Sequence, residues 1–168
     1  IISGALGEPA RECLPLDPVD YYGGTISVTM AVDPVRRNYV SLKLWSGDDV
    51  NWDIGRIYLY ITDGDTDYQV GFRHEGDYMP LSVANWRQGR PGCFFYSTTL
   101  LPLEMTRGRT SLTLKIVSTG RIYPLGRGGE KDGGNYQFLM DLNSRGMYRA
   151  YTHVNPFLDV SDETQGAK

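Results

Sequence analysis

Three alternating stretches between Tyr39 and Arg73 constrain this chain more than any other feature. Tyr39–Trp45 places Val40, Leu42 and Leu44 on every second position. Arg56–Thr62 does the same with Ile57, Leu59 and Ile61, and Asp67–Arg73 with Tyr68, Val70 and Phe72. Apolar residues at that spacing face one core only in an extended chain, because successive strand side chains point to opposite sides. Asp63-Gly-Asp-Thr-Asp67 joins the second and third stretches, and Asp-Gly between apolar runs predicts a β-hairpin. The opposite face carries Tyr39, Trp45, Tyr58 and Tyr60, where a solvated face ordinarily carries Lys, Thr and Glu. The apolar face needs a second layer to cover it. The aromatic face is the main functional clue.

The rest of the chain repeats the pattern. Thr25–Val32 alternates with Ile26, Val28, Met30 and Val32 inward, and Pro34 ends it, since proline cannot donate to a ladder. Cys93–Leu101, Thr110–Val117 (Leu112, Leu114 and Ile116 inward) and Met147–Val154 are further strands. Pro102–Arg107 is too short for a convincing helix. About seven strands with turn signals between them predict an all-β fold, an antiparallel β-sandwich of jelly-roll type. Residues 1–20 read as an N-terminal arm, 21–158 as the sandwich domain and 159–168 as a tail or linker. The glycine-rich stretch 119–146 lacks a period and reads as a long excursion, with residues 127–134 its most mobile part.

A chain of 168 residues suits one domain with a real core. Its net charge of −3 argues against a general nucleic-acid binder. No apolar run is long enough to span a bilayer as a helix. The sequence starts at Ile1 with no visible signal peptide, as expected for a mature chain, an excised domain or a fragment. Cys13 and Cys93 are the only cysteines. A lone pair in a Tyr- and Gly-rich β chain predicts a disulfide and a secreted protein; two buried thiols are the alternative.

Catalytic constellations are sparse. There is no Gly-x-Ser-x-Gly elbow, and the histidines His74 and His153 read as strand-end surface residues. Asp49, Asp53, Asp63, Asp65, Asp67, Glu75 and Asp77 supply carboxylates for a glycosidase pair, but they fall in turns, where Asp serves local hydrogen bonding. Asp63, Asp65 and Asp67 imitate the opening of an EF-hand loop, yet Tyr68 and His74 stand where its Gly and closing Glu belong. A β-turn calcium site is the one cofactor expectation left, against a plain hairpin turn. The aromatic set is richer. Trp45, Tyr58 and Tyr60 share strand faces, with Trp52 and Trp86 in adjoining loops. Flat rings suit the C–H faces of sugars; the alternative is that this face is itself buried.

Several phrases carry a resemblance: Val32-Asp-Pro34, Asn38-Tyr-Val-Ser-Leu-Lys-Leu-Trp-Ser-Gly-Asp48, Gly55-Arg-Ile-Tyr-Leu59, Gly71-Phe-Arg-His74 and Arg145-Gly-Met-Tyr-Arg-Ala-Tyr-Thr-His153. Together they resemble the non-catalytic sandwich region of large secreted microbial proteins of polysaccharide breakdown. They are also similar to galactose-binding-like and carbohydrate-binding jelly-roll domains. The resemblance covers most of residues 25–155, brings no active-site residue and implies an accessory or glycan-binding role. The expectation is therefore a secreted carbohydrate-binding or accessory module for oligo- or polysaccharides. Trp45, Trp52 and Trp86 would stack, and Asp48, Asp49, Asn51, Arg87 and Arg90 would hydrogen-bond. The alternatives are an interaction domain docking on another domain or subunit, and a fragment of a glycoside hydrolase.

Overall fold

The computed structural model describes residues 1–14, 22–45, 56–74, 93–119, 121–123, 137–139, 143–144, 146–161 and 163. Among the described residues, eleven strands run in chain order: β1 Ile2–Ser3, β2 Pro9–Ala10, β3 Tyr22–Ala31, β4 Tyr39–Trp45, β5 Arg56–Asp63, β6 Thr66–His74, β7 Phe94–Leu100, β8 Ser111–Thr119, β9 Arg121–Tyr123, β10 Gln137–Leu139 and β11 Met147–His153. All pairings are antiparallel. A four-stranded sheet in the order β3-β8-β5-β6 stacks on a three-stranded sheet in the order β11-β4-β7. The molecule is an antiparallel β-sandwich. Among the described residues the only α-helix is a single turn, Leu103–Thr106, and no helix is long and apolar enough to cross a membrane.

The alternating runs account for the core. Val40, Leu42 and Leu44 meet Ile57, Leu59, Ile61, Leu112, Leu114 and Ile116 in one buried cluster, with Ile26, Val28 and Met30 packed against it. The sheets meet at both sides. Thr152 Oγ1 of β11 donates to the Ala31 carbonyl at the end of β3 at 2.6 Å. Across the other side, a methyl built on Gly71 of β6 would lie 2.8 Å from Thr99 Cγ2 of β7, so only glycine permits that approach.

Local chemistry sets the turns. Gly64 opens the two-residue connection between Asp63 and Thr66 with φ 61°, a position where a tight hairpin wants glycine. A register shift then leaves Val70 without a cross-strand partner, a β-bulge. It pairs Gly71 with Leu59 and Phe72 with Tyr58, so Tyr68, Val70 and Phe72 do not keep the simple alternation predicted for them. Between β3 and β4, the Asp33 carboxylate accepts from the Val35 and Arg36 amides at 2.9 Å each. The Arg36 and Val35 amides, with the Arg36 side chain, hold the Asp33 carboxyl down at about 2. Buried Asn38 accepts from the Asp33 amide and donates to the Asp33 and Arg36 carbonyls, which closes the loop.

The stretch 119–146, unpatterned in the sequence, contributes the short β9–β10 pair; residues 127–134 lie outside the described residues. The arm forms the β1–β2 hairpin and then runs beside β11, where Arg11 and Met147 exchange both backbone hydrogen bonds at 3.0 and 2.8 Å. Cys13 N–H donates to Ser144 Oγ at 2.8 Å, and Ser144 N–H donates to the Cys13 carbonyl at 2.9 Å.

The predicted Cys13–Cys93 disulfide is not formed. The topology gives the reason. Cys13 lies on the outer edge of β11, whereas Cys93 precedes β7, with β11 and β4 between them. Three strand spacings amount to roughly 14 Å, about twice the Cα separation a disulfide tolerates. Cys13 is instead a buried member of the main core. The arm is pinned by backbone hydrogen bonds rather than by sulfur.

Candidate functional site

The two sheets have very different outer faces. On the three-stranded sheet, the register aligns four rows: Leu100, Tyr39 and His153; Thr98, Ser41 and Tyr151; Tyr96, Lys43 and Arg149; and Phe94 beside Trp45. Beyond the bulge at the start of β11, Tyr148 joins the last row. Its ring meets Phe94 edge-on at 5.0 Å, and Phe94 meets Trp45 edge-on at 4.7 Å. With Ala10 these rings form a second buried cluster. The arm closes it: Ala5 N–H donates to the Tyr148 hydroxyl at 2.8 Å, and Gly4 lies so near that ring that a methyl there would approach to 2.5 Å.

Lys43 sits at the centre of this face with its side chain only 1% exposed. Three groups surround its ammonium. Glu8 from the arm binds it at 2.9 Å, Glu163 from the tail binds it at 2.8 Å, and the Phe94 ring centroid lies 4.0 Å away. Burial alone would push the Lys43 ammonium down, but the hydrogen bonds it donates to Glu163 and Glu8 outweigh it and raise the group above its ordinary value. Burial likewise pushes Glu163 up. Hydrogen bonds from Lys43 and Tyr96 outweigh that and hold its carboxyl below the ordinary glutamate value.

Glu163 gathers more donors than Lys43 alone. Tyr96 donates to Oε2 at 3.0 Å, Tyr151 donates to Oε1, and Arg149 Nη1 stands 4.0 Å from Oε1. A carboxylate thus lies among one buried ammonium, two phenols and a guanidinium. One row further on, His153 stacks on Tyr39 at 5.6 Å and bonds Ser41 through Nε2 at 2.8 Å. Its Nδ1 lies 2.6 Å from the Asn155 carbonyl, which can only accept, so Nδ1 carries the hydrogen. The Ser–His pair imitates a nucleophile and its base, but Ser41 is wholly buried and its hydroxyl also bonds Thr98 at 2.7 Å. As packed, no substrate reaches it, and the pair serves as a lock.

The outer face of the four-stranded sheet differs. Its rows hold Ser27, Lys115, Tyr60 and Gln69; Thr29, Thr113, Thr62 and Asp67; and Thr25, Val117 and Tyr58. Thr25, Ser27, Thr29, Asp67 and Gln69 are exposed, and Tyr58, Tyr60, Thr113 and Lys115 are half-buried. The Tyr58 and Tyr60 rings stack at 6.3 Å and 30°. Lys115 binds Asp67 at 2.6 Å, and Thr62 donates to the same carboxylate at 2.7 Å. Those two bonds, with the Lys115 charge, hold Asp67 below its ordinary value.

Of the hairpin carboxylates Asp63, Asp65 and Asp67, the first and last bind cations of the protein. Asp63 binds Arg109 at 2.7 Å, which lowers its carboxyl, while Asp67 binds Lys115. Among the described residues, no three His, Cys, Asp or Glu side chains come together in a way that could hold a metal ion. Of the sequence-derived sugar contacts, Trp45 is 9% exposed with its indole packed against Phe94. Asp48, Asp49, Asn51, Trp52, Trp86, Arg87 and Arg90 lie outside the described residues. Sequence reasoning missed Lys43, Glu8, Tyr96, Tyr151 and Glu163. The available signal was a lone lysine inside an otherwise apolar strand whose neighbours are aromatic. An apolar cavity of about 330 Å³ also opens between the sheets on the β3–β11 side, lined by Ile26, Val28, Leu42, Ile116 and Ala150, with Arg11 and Arg149 among its lining residues.

In comparison with known proteins, the chain matches no family model, no curated protein and no solved structure. The fold defines its class: an all-β, antiparallel sandwich protein.

Proposed function

We propose that this chain is a carbohydrate-binding or accessory module of a secreted glycan-active protein, and that it takes sugar on the outer face of the four-stranded sheet. The stacked, half-buried Tyr58–Tyr60 pair carries this reading. Two rings on one flat strand surface offer apolar area to pyranose C–H faces. Ser27, Gln69, Thr113 and Lys115 border Tyr60 and Tyr58 with hydrogen-bonding groups suited to sugar hydroxyls. A mostly polar platform with a few aromatic anchors favours a soluble, hydroxyl-rich ligand over an apolar one. Trp52, Trp86, Asp48, Asp49, Asn51, Arg87 and Arg90 remain contributors to this proposal on sequence grounds.

Calorimetry with neutral oligosaccharides tests it. Tyr58→Ala and Tyr60→Ala are each expected to weaken binding by about fivefold or more, the worth of roughly 1 kcal/mol of aromatic contact, with the melting temperature nearly unchanged. Equal affinity in wild type and both variants, or no affinity for any oligosaccharide, rejects the reading. A second reading, docking on a partner domain, draws on Phe157 and Leu100, which stand 89% and 47% exposed. It requires that Phe157→Ser abolish partner capture and leave glycan affinity untouched.

A further inference from the structure

The outer face of the three-stranded sheet is built like a binding site with a ligand already in it. In an ordinary sandwich the outward side chain of a central strand is solvated. Here the outward Lys43 is buried, and its donors converge on a carboxylate that belongs to the tail, not to the sheet. Four groups that grip Glu163 come from three adjacent strands: Lys43 from β4, Tyr96 from β7, and Tyr151 and Arg149 from β11. Ladder register sets their backbone positions without the tail. The tail is held differently. Asn155, Pro156, Phe157, Asp159 and Ser161 are exposed and Val154, Leu158 and Val160 are only half-buried, so no described residue from 154 to 161 is fully buried before the Glu163 carboxylate reaches the sheet.

The energetics also allow exchange. Stripping the partner from a buried charge is strongly unfavourable. Lys43, however, has two carboxylates: Glu8 binds it at 2.9 and 3.1 Å beside Glu163, and so keeps it paired if Glu163 leaves. The lysine is therefore never stranded. Departure of the tail opens a slot with two phenol donors, a guanidinium and a paired ammonium, beside the rings of Phe94, Tyr96 and Tyr151.

We propose that this slot is a carboxylate-binding site closed in cis by Glu163, and that its ligand when open is a hexuronate, an acidic sugar whose carboxylate replaces that of Glu163. The carboxylate meets Tyr96, Tyr151, Arg149 and Lys43, and the C–H face of the sugar ring lies against the Tyr96 and Tyr151 rings, since the Phe94 ring is buried beneath Lys43. This site lies on the opposite side of the sandwich from the Tyr58–Tyr60 platform and stands without the glycan reading given for it.

Glu163→Ala removes the internal occupant while Glu8 keeps Lys43 paired. The test compares wild type and this variant by two-dimensional NMR titration with glucuronate, glucose and acetate, after confirming a cooperative melt. The expected result is glucuronate binding at least about tenfold tighter in the variant, since a site that is mostly closed lowers apparent affinity by its open fraction. Glucose, without the charge, and acetate, without the ring, should both bind more weakly than glucuronate. Tyr96→Phe added to Glu163→Ala deletes one donor conservatively and should weaken glucuronate by about tenfold, the usual worth of a hydrogen bond to a charged group. The proposal is overturned if the variant binds glucuronate no better than wild type does. It is equally overturned if glucose or acetate matches glucuronate, or if Tyr96→Phe changes nothing. None of these readouts involves Tyr58 or Tyr60, so failure here leaves the neutral-glycan proposal standing, and the reverse also holds.

Discussion

The two outer faces of this sandwich contain similar residues used in opposite ways. Both carry tyrosines and a lysine on a central strand. On the four-stranded sheet, Lys115 is half-exposed and binds one exposed carboxylate, and Tyr58 and Tyr60 stack in a half-buried pair. On the three-stranded sheet, Lys43 is buried between two carboxylates drawn from the arm and the tail, and the aromatic residues form a second core. The same side chains give a surface in one case and an interior in the other. Among the described residues, the difference lies in the arm and tail, which reach across the three-stranded sheet to Lys43. Ionic contacts should then be worth a great deal on one face and little on the other, because desolvation decides what a charge costs.

The largest expected effect breaks the sealed face at its centre. Lys43→Ala leaves Glu8 and Glu163 facing each other in a largely desolvated site, which should cost about 3–5 kcal/mol. Urea denaturation checks this; a loss below about 1 kcal/mol would mean the face is wetter than its packing implies.

A pH series sharpens the comparison further. Glu163 is held below the ordinary glutamate value, so its contribution is present above the unfolded value of 4.5 and fades as pH falls through the lower folded value. Lys43 is raised above 10.5, so its contribution is complete below that pH and fades as pH climbs through the folded value. Stability of wild type and Glu163→Gln, followed by urea melts, should differ most between these limits. The two curves should converge on acidification below 4.5. Parallel curves down to the acid transition would remove Glu163 from the account.

The smallest effect belongs to the outer face of the four-stranded sheet. Asp67→Asn removes the partner of Lys115 where water can replace it. Its melting temperature should match wild type within error by calorimetry, since exposed pairs contribute little. A clear fall would show that this face is also covered.

The inward half of each sheet was legible from the sequence because period two is a strong signal. Val40, Leu42, Leu44, Ile57, Leu59, Ile61, Leu112, Leu114 and Ile116 all lie in the core where the alternation put them. The bulge at Val70 was not legible, since one extra residue reverses the phase without changing composition; Gly71 was its only mark. The ion cluster was hidden for another reason. Glu8, Lys43 and Glu163 meet through contacts far apart in the chain; Lys43 stands out among its apolar strand neighbours, but Glu8 and Glu163 each look like an ordinary surface charge. The disulfide expectation failed by the same route. Counting cysteines says nothing about how many strands separate them, and β11 and β4 intervene.

The two carboxylates on Lys43 also impose an order of assembly during synthesis. Glu8 leaves the ribosome before Lys43, Tyr96 follows, and Tyr151 and Glu163 come last. The arm that carries Glu8 is itself held by Met147 and Tyr148 of β11, and Glu163 is held by Tyr151 of the same strand. Both carboxylates therefore reach Lys43 with β11, which follows the other described strands in the chain. A nascent chain halted before β11 would keep its lysine in water, with the aromatic face still open to solvent.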